Sequence, residues 1–140
     1  MSHQSPVTSH QTRKYQNLKV WQKATGLALD IYTLTKAFPR DEVYALTSQL
    51  RRAAVSVASN IAEGSERKSD RDFVRFLRIA SASLAEIETQ IYIALKLGYI
   101  TQESYDAFLE ASAENGKMLN GLISKLEEKP SGDWRLATGD

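Results

Sequence analysis

The sequence predicts an all-α protein, an up-down-up-down antiparallel four-helix bundle. Three observations lead there. Apolar residues recur at three- and four-residue steps in four separate segments. No run alternates with period two for long enough to make a strand. The breaks between segments are short, which forces successive helices to run antiparallel. A chain of 140 residues, 42% apolar and 25% charged, fits one domain with a real core. The expected layout is a disordered tail over residues 1–14, a bundle domain over 15–129 and a second disordered tail over 130–140.

The first helix is expected from Leu18 to Phe38, with Leu18, Trp21, Ala24, Ala28, Ile31, Leu34 and Phe38 on one face. Pro39 ends it, because proline disfavours helix at the residue before it. Asp41 can then cap a second helix from Glu42 to Glu63, whose core positions are Val43, Leu46, Leu50, Ala54, Val57 and Ile61. Gly64 suits the end of that helix through its tolerance of left-handed torsions.

Ser69-Asp70-Arg71-Asp72 has the form of a capping box and opens helix three, Asp70 to Leu97. Its inward residues are Phe73, Phe76, Leu77, Ala80, Leu84, Ile87, Ile91 and Leu95. Gly98 stops it. Thr101 can cap helix four, which runs to Glu128 with Tyr105, Phe108, Leu109, Leu119, Leu122, Ile123 and Leu126 inward. Each core stripe reads as apolar. Trp134, in the C-terminal tail, reads as a stray aromatic or one that docks on the bundle.

Two non-core faces stand out. Opposite the buried side of helix two lie Ala45, Ser48, Arg52, Ser56, Ser59 and Glu63, with Asn60 at the boundary. An exposed helix back usually carries long charged residues. Small ones let another backbone approach, so this stripe reads as a subunit interface, and Asn60 could set register by bonding to a neighbouring helix. The plainer reading is a solvated, Ser/Ala-rich face.

On helix three, Arg71, Arg75 and Arg78 cluster away from the core, with Arg67 and Lys68 just before. Guanidinium forks suit phosphates. Phe73 and Phe76 are expected to point to the core, not to interleave with these cations. Net charge is +1, yet residues 1–78 hold 13 Lys/Arg against 7 Asp/Glu and residues 79–140 hold 5 against 10. The two halves can neutralise each other, or the basic one can meet an anionic partner.

Catalytic chemistry is missing. There is no cysteine, and His3 and His10 are the only histidines. No phosphate-binding loop, dinucleotide fingerprint or Glu-x-x-His pair occurs. Glu86 and Glu88 point to different faces. No catalytic residue, cofactor or metal site is therefore expected, and no transmembrane span or secretory signal.

Val20-Trp21-Gln22-Lys23-Ala24, Phe38-Pro39, Gln49-Leu50-Arg51-Arg52-Ala53-Ala54, Ser59-Asn60-Ile61-Ala62-Glu63-Gly64, Phe73-Val74-Arg75-Phe76-Leu77 and Leu97-Gly98-Tyr99-Ile100 follow one another at characteristic spacing. Together they resemble the bacterial four helix bundle family, also called S23 or 23S rRNA intervening-sequence proteins, over Tyr15 to Leu126. The resemblance implies a ring-like homopentamer. It also implies distant similarity to the accessory protein of diversity-generating retroelements, a basic bundle that binds nucleic acid and a reverse transcriptase. It supplies no catalytic residues.

The functional expectation is a cytoplasmic, non-enzymatic homo-oligomer that binds RNA, DNA or an RNA–protein complex through Arg51, Arg52, Arg67, Lys68, Arg71, Arg75 and Arg78. The alternative is a protein–protein adaptor with no nucleic-acid activity.

Overall fold

Ser69 and Thr101 begin the two longest helices. The Ser69 hydroxyl accepts the Asp72 amide at 3.1 Å, and the Thr101 hydroxyl accepts the Ser104 amide at 3.0 Å. Each satisfies a backbone donor that the first helical turn leaves open, which contributes about 1 kcal/mol. The computed structural model describes residues 14–128. Within them lie α1 (Lys19–Thr35), α2 (Leu46–Ser65), α3 (Asp70–Lys96) and α4 (Gln102–Glu127), with 3-10 turns at Lys14–Asn17 and Arg40–Glu42. Among the described residues there is no strand. Each helix packs on the next, α2 most extensively on α3, and α1 also meets α4. Residues 1–13 and 129–140, with His3, His10 and Trp134, lie outside the described residues, while Lys14, expected in the tail, begins the first 3-10 turn.

The shared core holds Ile31, Leu50, Val57, Ile61, Leu77, Ile87, Ile91 and Leu119, all fully buried. Truncating one of the larger of these to Ala should cost about 2–5 kcal/mol. Gly98 alone among the described residues takes a positive φ, 82°, and turns the chain from α3 towards α4.

Four expectations need correction. First, α2 starts at Leu46, not Glu42. After Pro39 the chain makes a 3-10 turn, so residues 40–45 leave the phase of the helix that follows. Asp41 therefore caps nothing in α2. The Glu42 carboxylate does so instead, accepting the Leu46 amide at 3.2 Å. Val43, expected in the core, is 46% exposed.

Second, Gly64 does not end its helix in a left-handed conformation. It is helical and buried, and α2 continues to Ser65. Its lack of a side chain serves packing: a Cβ there would stand 2.7 Å from the Cβ of Phe76.

Third, the core stripes are not purely apolar. Ser112 and Asn115 of α4 are fully buried. The Asn115 amide donates to the Val20 carbonyl in the first turn of α1 at 3.1 Å, and the Ser112 hydroxyl donates to Glu88 of α3. Short polar residues at helical spacing look like surface in a sequence, while here each has a partner on another helix.

Fourth, α1 ends at Thr35. Phe38 still reaches the core, past the helix end, with its ring 5.2 Å from that of Tyr99. The Tyr99 hydroxyl donates to the Glu42 carboxylate at 2.7 Å. One acid thus holds both the start of α2 and the loop between α3 and α4. That hydrogen bond, reinforced by burial and by the nearby Glu42 and Asp41 charges, pushes the Tyr99 phenol above its ordinary pKa.

Candidate interaction surfaces

Three surface features are built on this frame. The first is the corner where α2 passes to α3. Phe76 is only 7% exposed, yet it stands apart from the continuous core. It covers Gly64, and the guanidiniums of Arg67 and Arg75 each lie 4.7 Å from its ring centroid. The expectation that Phe76 turns away from the basic residues is thus corrected: the ring is interleaved with them. The sequence signal was present, since 76 adjoins 75, but helical phase alone does not say how far long arginines fold back.

Carboxylates hold the same cations. Arg67 pairs with Glu63 at 2.9 Å, Arg75 approaches Asp72 at 3.8 Å, and Arg78 reaches Glu127 of α4 at 2.6 Å. All three pairs are exposed, so each contributes at most about 1 kcal/mol. Their effect is chiefly to fix where the guanidiniums sit. Lys68 and Arg71, between them, are exposed and make no ion pair among the described residues. A small cavity of about 210 Å³ opens beside this corner, with Leu18, Phe73 and Leu126 as its apolar walls and Lys14, Arg67 and Asp70 among its polar ones.

The second feature is a grooved face along α1 and α2. Two grooves of about 610 and 480 Å³ meet at Tyr32 and Val55. One is lined by Val43, Tyr44, Ser48 and Arg52, the other by Trp21, Leu29, Ala58, Ser59 and Ala62. Leu29 is 69% exposed and Tyr44 95%. The floor of small residues and walls of large apolar ones leave room for another helix.

The third is the seam between α2 and α3. The Gln90 amide donates to Gln49 at 3.2 Å, and seven residues further along each helix Ser56 and Ser83 share a 2.8 Å hydrogen bond. Seven residues before Ser83 in α3 and eight after Ser56 in α2, Phe76 closes on Gly64. The three contacts run in opposite senses along the two helices at about two-turn intervals, so α2 and α3 pack antiparallel. Asn60, expected to reach a neighbouring helix, instead donates to the carbonyl and hydroxyl of Ser56 in its own helix, at 2.9 and 3.0 Å.

Residues 16–121 match the family model for the 23S rRNA-intervening sequence protein. The chain belongs to that family. It is also similar to a crystal structure from Bacteroides thetaiotaomicron, a protein of unknown function from the S23 ribosomal protein family. That likeness has 28% identity and a TM-score of 0.69, covering 74% of this chain and 97% of the other. No curated protein matches.

In this member of the family the seven candidate cations are not one site. Arg67, Lys68, Arg71, Arg75 and Arg78 gather at the corner. Arg51 and Arg52 stand roughly four turns back along α2. Arg51 is tied to the end of α1: it donates to the Thr35 hydroxyl at 2.8 Å and to the Tyr32 carbonyl at 3.4 Å, and lies 4.5 Å from the Tyr32 ring centroid. Arg52 is exposed at the edge of the groove. The small-residue stripe divides as well. Ala45, Arg52, Ser59 and Glu63 are exposed, while Ser48, Ser56 and Asn60 are half-buried. Trp21 packs against the core as expected while also lining the groove, whereas Leu29, Tyr32 and Val55 belong to no face that the sequence analysis singled out. Among the described residues, no group of three potential ligands could hold a metal ion, and no helix is long and apolar enough to cross a membrane.

Proposed function

We propose that this protein catalyses no reaction. It works in the cytoplasm as a self-associating helical bundle that binds nucleic acid, RNA or an RNA–protein complex, at the α2–α3 corner. The bundle runs up-down-up-down and assembles into the ring-like homopentamer that the family resemblance implies. The observation that carries the self-association is the exposed apolar face of α1 and α2, with Leu29, Tyr32, Tyr44 and Val55 in water. Contiguous exposed apolar surface of this kind marks an interaction site.

The corner supplies the anion-binding part. Arg67 and Arg75 are held in place on Phe76, and Lys68 and Arg71 are available beside them. Guanidiniums with little freedom left to lose bind phosphate oxygens at lower entropic cost. Filter binding of single-stranded and duplex RNA at low salt tests this. Retention should be lost in the Arg71→Ala/Arg75→Ala/Arg78→Ala variant, and a wild-type chain that retains neither RNA overturns it.

A specific observation favours a second reading, a protein adaptor for a partner such as a reverse-transcriptase-like protein. Glu63, Asp72 and Glu127 neutralise three of the five corner cations. On that reading the triple variant still captures its protein partner.

A further inference from the structure

We propose that the groove of α1 and α2 on one copy receives the outward stripe of α3 from the next copy, with Arg52 meeting Glu86 of the partner subunit. This rests on the self-association proposed above and says which two surfaces join.

The α3 stripe is a second apolar face left uncovered among the described residues. Ile79, Ala82, Glu86, Ile93 and Leu97 fall within about 60° of one another on the helix, on the side away from Leu77, Ile87 and Ile91. All five are exposed, Leu97 to 54%. A helix back in water normally carries long charged residues. This one carries three large aliphatic residues, an alanine and one acid.

The two faces are complementary in shape and length. The groove is concave, floored by Ala58, Ser59 and Ala62 and walled by Leu29, Tyr32 and Val55. The stripe is a convex ridge. From Ile79 to Leu97 it spans roughly 27 Å, and α2 spans roughly 30 Å at the same rise per residue.

Charge points the same way. Arg52 is exposed near the middle of the groove face and makes no ion pair within the described chain. Glu86 is exposed near the middle of the stripe and also makes no ion pair; its bond from Gln90 is a long 3.3 Å. Because each sits near its centre, they meet whether the helices cross parallel or antiparallel. The groove belongs to the basic half of the sequence and the stripe to the acidic half. A single isologous contact would cover one face and leave the other wet. Two different faces joining head to tail cover both, and such contacts close into rings when the rotation allows.

The test is sedimentation of the full chain, with helical content checked by circular dichroism. Arg52→Glu and Glu86→Arg should each weaken association by about tenfold or more, and the double variant should recover it. Leu29→Glu spoils the groove and Ile93→Glu spoils the ridge. Each should be monomeric alone, and an equimolar mixture should form a one-to-one dimer and nothing larger. Self-association of Ile93→Glu as strong as that of the wild type overturns the pairing but leaves self-association standing. So does failure of the double charge reversal to restore assembly. A wild-type chain that stays monomeric at high micromolar concentration overturns both.

Discussion

Gly64 and Phe76 touch so closely that no side chain fits between α2 and α3 at that point. A Cβ on Gly64 would stand 2.7 Å from the Phe76 Cβ and 2.9 Å from Cδ1 of Phe73. Gly64→Ala in a helix ordinarily gains about 1 kcal/mol from backbone propensity. Here the clash involves a Cβ fixed to the facing backbone, so relief requires the helices to part, and overpacking of that kind costs about 1–3 kcal/mol. The expected result is a net loss of stability in urea unfolding, with weaker RNA retention because Phe76 carries Arg67 and Arg75. Unchanged or increased stability would mean that α2 and α3 lie farther apart.

Asn115→Asp should be strongly destabilising at pH 7 and much less so near pH 4. The native amide donates to the Val20 carbonyl from a fully buried position. An ionised carboxylate cannot donate and would face that oxygen without solvent. A protonated acid can donate, so burial raises the folded-state pKa of the new group. The variant then loses stability as pH rises from the unfolded carboxyl range, about 4, towards that raised value. Denaturant midpoints of variant and wild type at the two pH values check this.

The Tyr99–Glu42 bond sets an alkaline limit. The Tyr99 phenol is raised, foremost by donating to Glu42. Its contribution is therefore complete below the ordinary phenol value of about 10 and disappears as pH rises through the higher folded value. Tyr99→Phe should be less stable than wild type at pH 8, with the difference shrinking above pH ~10.5. On the acid side the sign reverses at Glu114, whose carboxyl is lowered by the hydrogen bond and charge of Lys23. That contribution is present above the ordinary carboxyl value and fades as pH falls through the depressed one. Lys23→Met should flatten the acid limb of the midpoint-against-pH curve.

At the corner, freeing a cation should strengthen RNA binding. Arg78 is paired with Glu127 at 2.6 Å. Glu127→Gln should raise affinity several-fold at low salt, while Lys68→Ala and Arg71→Ala should each reduce the slope of log K against log salt by about 1. Fluorescence anisotropy across a salt series reads both. Tighter binding by Arg71→Ala would remove the corner from consideration.

The helices were legible because the sequence marks their ends as well as their faces. Ser69 and Thr101 precede apolar periodicity and cap as their position suggests. The start of α2 was not legible, because a 3-10 turn breaks phase without changing composition, and Glu42 caps from a distance of four residues. Gly64 was recognised as special for the wrong reason: local torsion rules cannot see a phenylalanine twelve residues on. The arginine corner was legible as a charge run, though not its acidic clasps or the ring beneath it. The groove was harder still. Leu29 and Val55 carry no signal of their own in the sequence, and only the packed structure shows that nothing among the described residues covers them.

Asn115 has one more consequence, which concerns synthesis. The first turn of α1 is secured by a side chain 95 residues later in the chain. While the polypeptide is being made, its opening helix can form and collapse against α2, but its leading end waits for the last helix to arrive. Closure then comes late and depends on a long loop being spanned, the slow kind of contact. A chain truncated before residue 115 should therefore lack the bond that ties the first turn of α1 to the last helix.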